Sequence, residues 1–363
     1  MKIKAIETFT KNPVSIVRVT TDEGVGMGQI APYHANISAL VLHQQLAPLA
    51  FGPECDDIPA FVDGLIEHEY KFAGSYICRA AAGLDTALWE AKAKAQGKSV
   101  TELIGGRPRS LTVYGSSMRR DITPEEEAKR LQRLADTDGY QAFKIRVGKP
   151  FGHDQDEWPG RTESIISTVR RALGDAPLLY ADANSGFTPA RAVAVGHMLE
   201  DHGYCHYEEP CPYPELEWTK AVADALEIPV AGGEQDTSMS TWQRMIRMRA
   251  VDIVQPDICY IGGFSRALKV AKLAAEAGLP CTPHAANRSL LAVFTMHLLA
   301  AIDNGGRYME HSIEATPWTD AMFEPSVLDV HEGMVTVPPG PGWGVSIAGR
   351  WLETADYQVS RPT

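Results

Sequence analysis

The chain lacks features that mark several classes of protein. No run of about 18 apolar residues occurs in its 363 residues, so we expect no membrane-spanning helix and no membrane partner. Basic residues are the minority, with 34 Lys and Arg against 46 Asp and Glu and a net charge of −12. Because phosphate backbones bind to basic surfaces, nucleic acid is not expected as a partner.

The sequence also has little cysteine and no recognisable export signal. Its six cysteines include no Cys-x-x-Cys pair, and several fall in apparent strands or helices. That pattern is typical of buried free thiols in a reducing compartment. The first residues form no apolar segment of a secretory signal, so we expect a cytoplasmic protein.

What is present indicates a barrel joined to a smaller domain. Hydrophobic residues make up 44% of the chain, which allows a large core. Residues 1–30 alternate as in an antiparallel meander. Residues 35–50, 57–71 and 79–104 show helical patterns, the last with stops at Gly97 and Gly105.

From residue 111 onward, strand patterns alternate with helix patterns, which is typical of a parallel sheet. Eight strands favour a closed barrel over an open sheet. We therefore predict an α/β fold with an α+β domain over residues 1–108, a barrel over 109–336, and a tail over 337–363 that returns to the first domain. The predicted strands are 111–116, 141–147, 177–182, 203–208, 228–233, 252–256, 279–283 and 307–310.

Three carboxylates hold the same position relative to the predicted strands. Asp182, Glu208 and Glu234 each close an apolar run, and equal numbers of residues separate them. This spacing places them at the C-terminal ends of successive parallel strands, the face where barrel enzymes hold their active sites. One carboxylate at a strand end is more often solvated or caps a helix. Three in register repel one another unless a cation lies between them, and oxygen ligands suit Mg²⁺, so one Mg²⁺ is predicted.

Other strand ends carry polar side chains that would surround these carboxylates. Lys144 and Arg146 share one face of the second strand because side chains alternate along a strand. Asp257, His284 and Glu310 follow or close the sixth, seventh and eighth strands. His284 can titrate near neutral pH, and Asp257 would fix its tautomer, although Asp257 could instead cap the next helix.

With these motifs the chain resembles the enolase superfamily and, within it, the mandelate racemase subgroup. The resemblance covers nearly the whole chain, including the helix at 83–90 and the Gly262-Gly263 pair. It implies a modified TIM barrel, (β/α)7β, with an N-terminal α+β capping domain whose loops close the site. It also implies a homo-oligomer and a small-molecule carboxylate as the substrate.

The resemblance further implies roles for individual residues. His284 and Asp257 would form an acid/base dyad, and Asn184 would contact a substrate hydroxyl. Glu310 would donate a hydrogen bond to the enediolate oxygen, which requires a protonated carboxyl, and we expect burial near negative charge to raise its pKa. The Mg²⁺ ligands would be Asp182, Glu208 and Glu234.

Arg146 departs from the pattern of the subgroup, which usually carries Lys-x-Lys on the second strand with the second lysine as a base. Arginine is a poor proton shuttle and a good carboxylate-binding fork. Racemisation needs a base on each face of the carbon. A one-base route remains, in which His284 takes the proton α to the carboxylate and returns it to a departing β-hydroxyl.

The sequence therefore favours an acid-sugar dehydratase, a lyase that forms a 2-keto-3-deoxy acid. Two alternatives stay open: a racemase or epimerase in which Lys144 or Arg146 is the second base, and a catalytically idle relative that binds or regulates. Residues 251–263 contain no lysine, which argues against muconate lactonizing and dipeptide epimerase activities. The loops supply predicted substrate contacts, each of which could equally be a solvated loop residue: Tyr33, His34, Arg119 and Trp158.

Overall fold

Two sheets organise the chain in the computed structural model, which describes residues 1–319 and 321–362. The strands are β1 (Ile3–Lys11), β2 (Val14–Thr21), β3 (Val25–Ile30), β4 (Ser110–Ser116), β5 (Ala142–Arg146), β6 (Leu178–Asp182), β7 (His206–Glu208), β8 (Val230–Gly232), β9 (Ile253–Val254), β10 (Met309–Ser312), β11 (Met334–Thr336) and β12 (Asp356–Ser360).

The helices alternate with the strands of the second sheet, as the sequence predicts. They are α1 (Ala35–Val41), α2 (Ala47–Ala50), α3 (Ile58–His68), α4 (Ser75–Ala95), α5 (Val100–Leu103), α6 (Pro124–Asp138), α7 (Arg161–Leu173), α8 (Pro189–Asp201), α9 (Leu216–Ala225), α10 (Met239–Met248), α11 (Ile258–Ile261), α12 (Phe264–Glu276), α13 (Leu290–Leu299) and α14 (Gly349–Glu353), with a π-helical turn at Leu42–Leu46 between α1 and α2.

The N-terminal sheet is antiparallel, in the order β12-β1-β2-β3. The predicted meander of residues 1–30 is confirmed, and the C-terminal strand β12 joins it at the free edge of β1. Helix α4 packs closely on β3 because Gly26 and Gly28 have no side chains there. A Cβ at either glycine would collide with the α4 backbone. This packing fixes α4, whose first turns reach the mouth of the barrel.

The second sheet is the barrel, with parallel strands in the order β10-β4-β5-β6-β7-β8-β9. Isolated bridges from Cys281 to Val254 and to Gly305 continue the ring past β9. The predicted strand 279–283 is therefore reduced to one bridging residue. The expected modified barrel with an N-terminal α+β domain is confirmed.

The predicted helix 79–104 is wrong in its extent. Helix α4 begins at Ser75, after Gly74 with φ 137°, and ends at Ala95 before Gly97 with φ 63°. The remainder forms α5, a separate short helix. Its start is stabilised by a capping box in which Ser99 and Glu102 bond to each other's backbone N–H.

Parallel register brings the predicted site residues side by side. Arg146 is paired with Asp182 across β5 and β6, and Asp182 with Glu208 across β6 and β7. Within residues 1–319 and 321–362, no helix combines the length and apolar character that crossing a membrane requires. All six cysteines are free thiols, and five of them are buried.

Candidate active site

Three buried carboxylates form the floor of the candidate site. Asp182, Glu208 and Glu234 each offer an oxygen, and these oxygens lie within 4.8 Å of one another. The three side chains are almost fully inaccessible to solvent. Three buried carboxylates in one place have the donor chemistry that a hard divalent cation requires.

Lys144 neutralises part of this charge and is held firmly by it. Its Nζ lies 2.6 Å from Glu208 Oε1 and 2.8 Å from Glu310 Oε1. Burial alone would lower the pKa of Lys144, but Glu208 and Glu310 outweigh it and raise that pKa. Lys144 is therefore protonated, and it has no free electron pair with which to accept a substrate proton.

Arg146 is neutralised by the floor as well. Its guanidinium forms an ion pair with Asp182, and its Nε donates to the Ser117 carbonyl at 2.8 Å. A further nitrogen donates to Asn184 Oδ1 at 3.1 Å. The side chain is buried, so these contacts fix the guanidinium in one orientation.

Asp257 connects the predicted base to the scaffold. Its Oδ2 lies 2.7 Å from His284 Nδ1, while its Oδ1 accepts the backbone N–H groups of Cys259 and Tyr260 at 2.7 and 2.9 Å. The contact of Asp257 with His284 and the helix cap, which the sequence left as alternatives, are thus both present, with one oxygen for each, and the acid/base role of the pair stays a prediction. This arrangement places the proton of His284 on Nδ1 and directs Nε2 towards the cavity.

The pKa of His284 reflects the surrounding carboxylates. Burial would lower it, but Glu234, Glu310 and Asp257 outweigh burial and raise it to about 10. Glu234 is the nearest of these on the cavity side, at 3.3 Å from Nε2. A cation held by Glu234 would offset that carboxylate and bring the pKa of His284 back towards neutrality.

Glu310 is surrounded by donors and cations, and its role as a hydrogen-bond donor to the enediolate stays a prediction. Burial raises the pKa of this carboxyl, but Lys144 and His284 outweigh burial and lower it to about 2. The Ser116 hydroxyl donates to Oε1 at 2.7 Å, and the Ala285 N–H donates to Oε2 at 2.7 Å. Both oxygens of Glu310 therefore accept hydrogen bonds in this arrangement.

Glu209 lies next to the three carboxylates without joining them. It is buried and has a backbone φ of 41°. Burial, together with Glu234 and Glu208, raises its pKa well above the usual range. Glu209 therefore lies beside the floor and is not one of the three grouped carboxylates.

Asn184 occupies the wall beside Asp182. Its backbone N–H donates to Asp182 Oδ1 at 2.7 Å and its side-chain amide donates to Oδ2 at 3.2 Å. Its own Oδ1 accepts from Arg120 at 2.9 Å and from Arg146. Asn184 faces the cavity, and it also orients Asp182.

A cavity of about 460 Å³ opens above the floor, between the barrel and the N-terminal domain. Tyr33 and His34, which were predicted as substrate contacts, line it. Its wall also includes residues that the sequence did not single out, because nothing local distinguishes them from other residues of helices and loops: Ser75, Tyr76, Arg79, Met118, Gln235, Tyr260, Ala286 and Asn287.

Two of the predicted substrate contacts lie elsewhere. Arg119 is half-buried, with 41% of its side chain exposed, and pairs with Asp121 at 2.9 Å. Trp158 packs its ring 5.2 Å from the guanidinium of Arg161. The neighbouring Arg120, rather than Arg119, faces the cavity, because consecutive residues of the loop after β4 point in different directions.

Comparisons with known proteins agree with this geometry. One family model, the mandelate racemase / muconate lactonizing enzyme N-terminal domain, matches residues 2–105, and the enolase C-terminal domain-like model matches residues 126–351. Arabinonate dehydratase of Saccharolobus solfataricus is 28% identical over 94% of this chain and 91% of its own length.

Two solved structures have the same fold. A protein of Roseobacter denitrificans, provisionally named a racemase, is 55% identical with a TM-score of 0.98, and the match covers 100% of both chains. L-Talarate dehydratase of Polaromonas sp. JS666, in complex with Mg and L-glucarate, is 25% identical with a TM-score of 0.85, over 100% of this chain and 99% of its own.

Proposed function

Because the chain belongs to the mandelate racemase/muconate lactonizing enzyme family of the enolase superfamily, we propose that it dehydrates a sugar acid to a 2-keto-3-deoxy acid. The observation that carries the proposal is the asymmetry of the site. One face of the cavity offers a histidine oriented by Asp257, and the other offers two cations already bound to carboxylates.

Asp182, Glu208 and Glu234 would hold the Mg²⁺. When bound, the cation supplies neutralisation of the negative charge that builds on the substrate carboxylate as the α proton leaves. The dehydratase of Polaromonas is a relative with Mg in its structure, and the buried carboxylates of this chain have the donor chemistry for the same ion.

His284 would remove the proton from C2 through Nε2. Asp257 holds the proton on Nδ1 and stabilises the imidazolium that forms. The same imidazolium would then donate its proton to the hydroxyl on C3, the C–O bond would break, and water would leave. The resulting enol becomes the 2-keto-3-deoxy acid by tautomerisation, so the proton taken from C2 leaves with the hydroxyl.

A racemase or epimerase is the second candidate, supported by the name given to the Roseobacter denitrificans protein. That reaction needs a base opposite His284. Lys144 and Arg146 occupy that side, and each is committed to carboxylates. The third alternative, a binding protein without activity, has less support because the dyad and the three carboxylates are all present.

The test is a panel of sugar acids supplied with Mg²⁺, followed by detection of 2-keto acid and by C2–H exchange in D₂O. His284→Asn should lose both dehydration and exchange by at least about 10²–10⁴-fold, and Glu234→Gln or chelation should abolish activity. Arg119→Gln, outside the cavity, is the matched control. Near wild-type C2–H exchange in His284→Asn would place the base on the β5 side.

The alternatives have their own signatures in the same assay. Exchange or epimer formation without loss of water would support the epimerase. A ligand-dependent rise in melting temperature without any turnover would support the binding protein.

A further inference from the structure

Two guanidinium groups in the cavity have no carboxylate partner. Arg146 is paired with Asp182, but neither Arg79 nor Arg120 takes part in an ion pair among residues 1–319 and 321–362. Both line the cavity. An arginine placed in a partly enclosed cavity without a counter-charge is suited to an anionic ligand, since its fork matches a carboxylate.

Arg120 belongs to the reacting end of the cavity. Its Nε donates to the Gly148 carbonyl and its Nη2 to Asn184 Oδ1, both at 2.9 Å. Through Asn184 it is connected to Asp182. Burial, with Arg146 and Arg161, lowers the pKa of Arg120 to about 9. The Nε and Nη2 donors of Arg120 are thus already used by the Gly148 carbonyl and by Asn184, which orients Asp182.

Arg79 comes from a different domain and retains free donors. It lies on α4, where its Nε donates to the Ser75 hydroxyl at 2.8 Å and its Nη1 to the Pro32 carbonyl at 3.2 Å. Its Cζ lies 3.7 Å from the centroid of the Tyr260 ring. Stacking leaves the edge of the guanidinium open, and Nη2 donates no hydrogen bond to any residue that the structure describes.

The position of Arg79 relative to the base decides which end of a substrate it can reach. The Tyr260 ring under Arg79 lies 5.9 Å from the His284 ring, centroid to centroid. The reacting carboxylate must lie at the floor, beside Lys144 and the three carboxylates, so that the C2 proton meets His284. The remainder of the molecule then extends towards the N-terminal domain, where Arg79 is the cation without a counter-charge.

We propose that Arg79 binds the terminal carboxylate of a dicarboxylic sugar acid, so that the substrate is an aldaric acid rather than an aldonic acid. The reaction class in this statement rests on the proposed function, whereas the preference for a second carboxylate does not. The guanidinium of Arg79, above the Tyr260 ring, is a positioning group: it holds the far end of the substrate while the other end reacts.

The kinetic test compares aldaric and aldonic acids that share the configuration of their hydroxyls. The wild type should favour the diacid by about 10–100-fold in kcat/KM, the effect of one charge-assisted hydrogen-bonding pair. Arg79→Met should remove that preference by lowering kcat/KM for the diacid alone. Arg79→Lys keeps the charge without the fork and should retain part of it, and Arg119→Gln should retain all of it.

A binding measurement separates this inference from the reaction. Calorimetry with the Mg²⁺-loaded protein compares adipate with 6-hydroxyhexanoate, which have the same chain length but two carboxylates and one. Tighter binding of adipate that disappears in Arg79→Met supports the inference even if no sugar acid is dehydrated. Equal binding of the two probes, or an equal loss of both in Arg79→Met, overturns the inference and leaves dehydration untouched.

Discussion

Arg146 occupies the position where the resemblance to the mandelate racemase subgroup predicts a basic lysine, and its contacts differ from those that a lysine could make. The guanidinium reaches Asp182, Asn184 and the Ser117 carbonyl at once. A lysine has one nitrogen and could satisfy only part of this set. Arginine is therefore held more rigidly than a lysine would be on the face opposite His284, but it provides no titratable group there.

Arg146→Lys should lower dehydration and introduce C2–H exchange from the second face. The amine can lose its proton, unlike a guanidinium, while Asp182 and Asn184 lose donors that hold them. Deuterium incorporation at C2 and epimer formation, followed by NMR, measure this change. Arg146→Gln is the matched control because it also loses the fork but provides no base. Equal exchange in the two variants would contradict the prediction.

At the residue level, the sequence predicts which side chains come together when their positions along the strands alone decide it. Equal spacing after strand-like runs was enough to bring Asp182, Glu208 and Glu234 together. The lowered pKa of Glu310 could not be predicted, because Lys144 and His284, which cause it, come from distant parts of the chain. The roles assigned to these residues remain proposals.

Helix α4 is the element that connects the two domains, and Asp85 is its main polar contact with the barrel. The Asp85 carboxylate accepts the backbone N–H of Ser265, in the first turn of α12, at 3.1 Å. Gly263, with φ 123°, leaves room for it, since a Cβ there would collide with Asp85. One carboxylate thus caps a barrel helix from the N-terminal domain.

Asp85 should make the protein less stable as pH rises. Burial raises its pKa from 3.8 to about 7, against weaker lowering by Ser265. The folded state therefore holds a proton that the unfolded state releases, so this contribution is complete below about pH 4 and is lost as pH rises through about 7. Between pH 5 and 8 the loss is on the order of 3 kcal/mol.

Urea unfolding of Asp85→Asn measures that contribution, since asparagine keeps an acceptor for Ser265 but cannot titrate. The unfolding free energy of the variant should fall less than that of the wild type between pH 5 and 8. Asp175→Asn, at an exposed position, should follow the wild type. Parallel pH curves for Asp85→Asn and the wild type would show that Asp85 is not the group responsible.

At the level of elements, periodicity predicted the order of strands and helices but not their limits. The segment 279–283 reads as a strand because it is apolar, yet only Cys281 makes bridges. Helix α4 starts earlier than its amphipathic pattern indicates, because Gly74 rather than a side-chain cap precedes it. Such limits depend on tertiary packing, which a local pattern does not contain.

For the whole molecule, the homo-oligomer and the cytoplasmic location stay predictions. Two aromatic side chains in the loop before α4, Tyr70 and Phe72, are 71% and 69% exposed. Exposed aromatic residues so close together are typical of surfaces that contact other molecules. They lie a few residues from Ser75 and Arg79, so an interface there would be close to the cavity.

Buried neutral histidines connect distant parts of the chain. His43 lies 2.9 Å from Thr8 Oγ1 and 2.7 Å from Ser360 Oγ, between β1 and the end of β12. His297 and His311 likewise bond to the carbonyls of Trp343 and Leu328. Burial lowers the pKa of each of these three histidines from 6.5 to about 4.

These histidines should make acid unfolding steep between about pH 6.5 and 4. An unfolded histidine binds a proton below about 6.5, whereas the folded ones stay neutral down to about 4, so their stabilising effect is complete above 6.5 and is lost as pH falls.

Asp85 acts in the opposite direction over part of the same range. Asp236, whose pKa burial raises to about 7, acts in the same direction as Asp85, so the contribution of a histidine is measured by comparing its own variant with the wild type. His311→Gln removes one titrating group and should fall less from pH 7 to 5 in urea titrations, while His197→Gln, whose side chain is 57% exposed, should match the wild type. If the curves of His311→Gln and the wild type run parallel, proton uptake by this histidine does not drive acid unfolding.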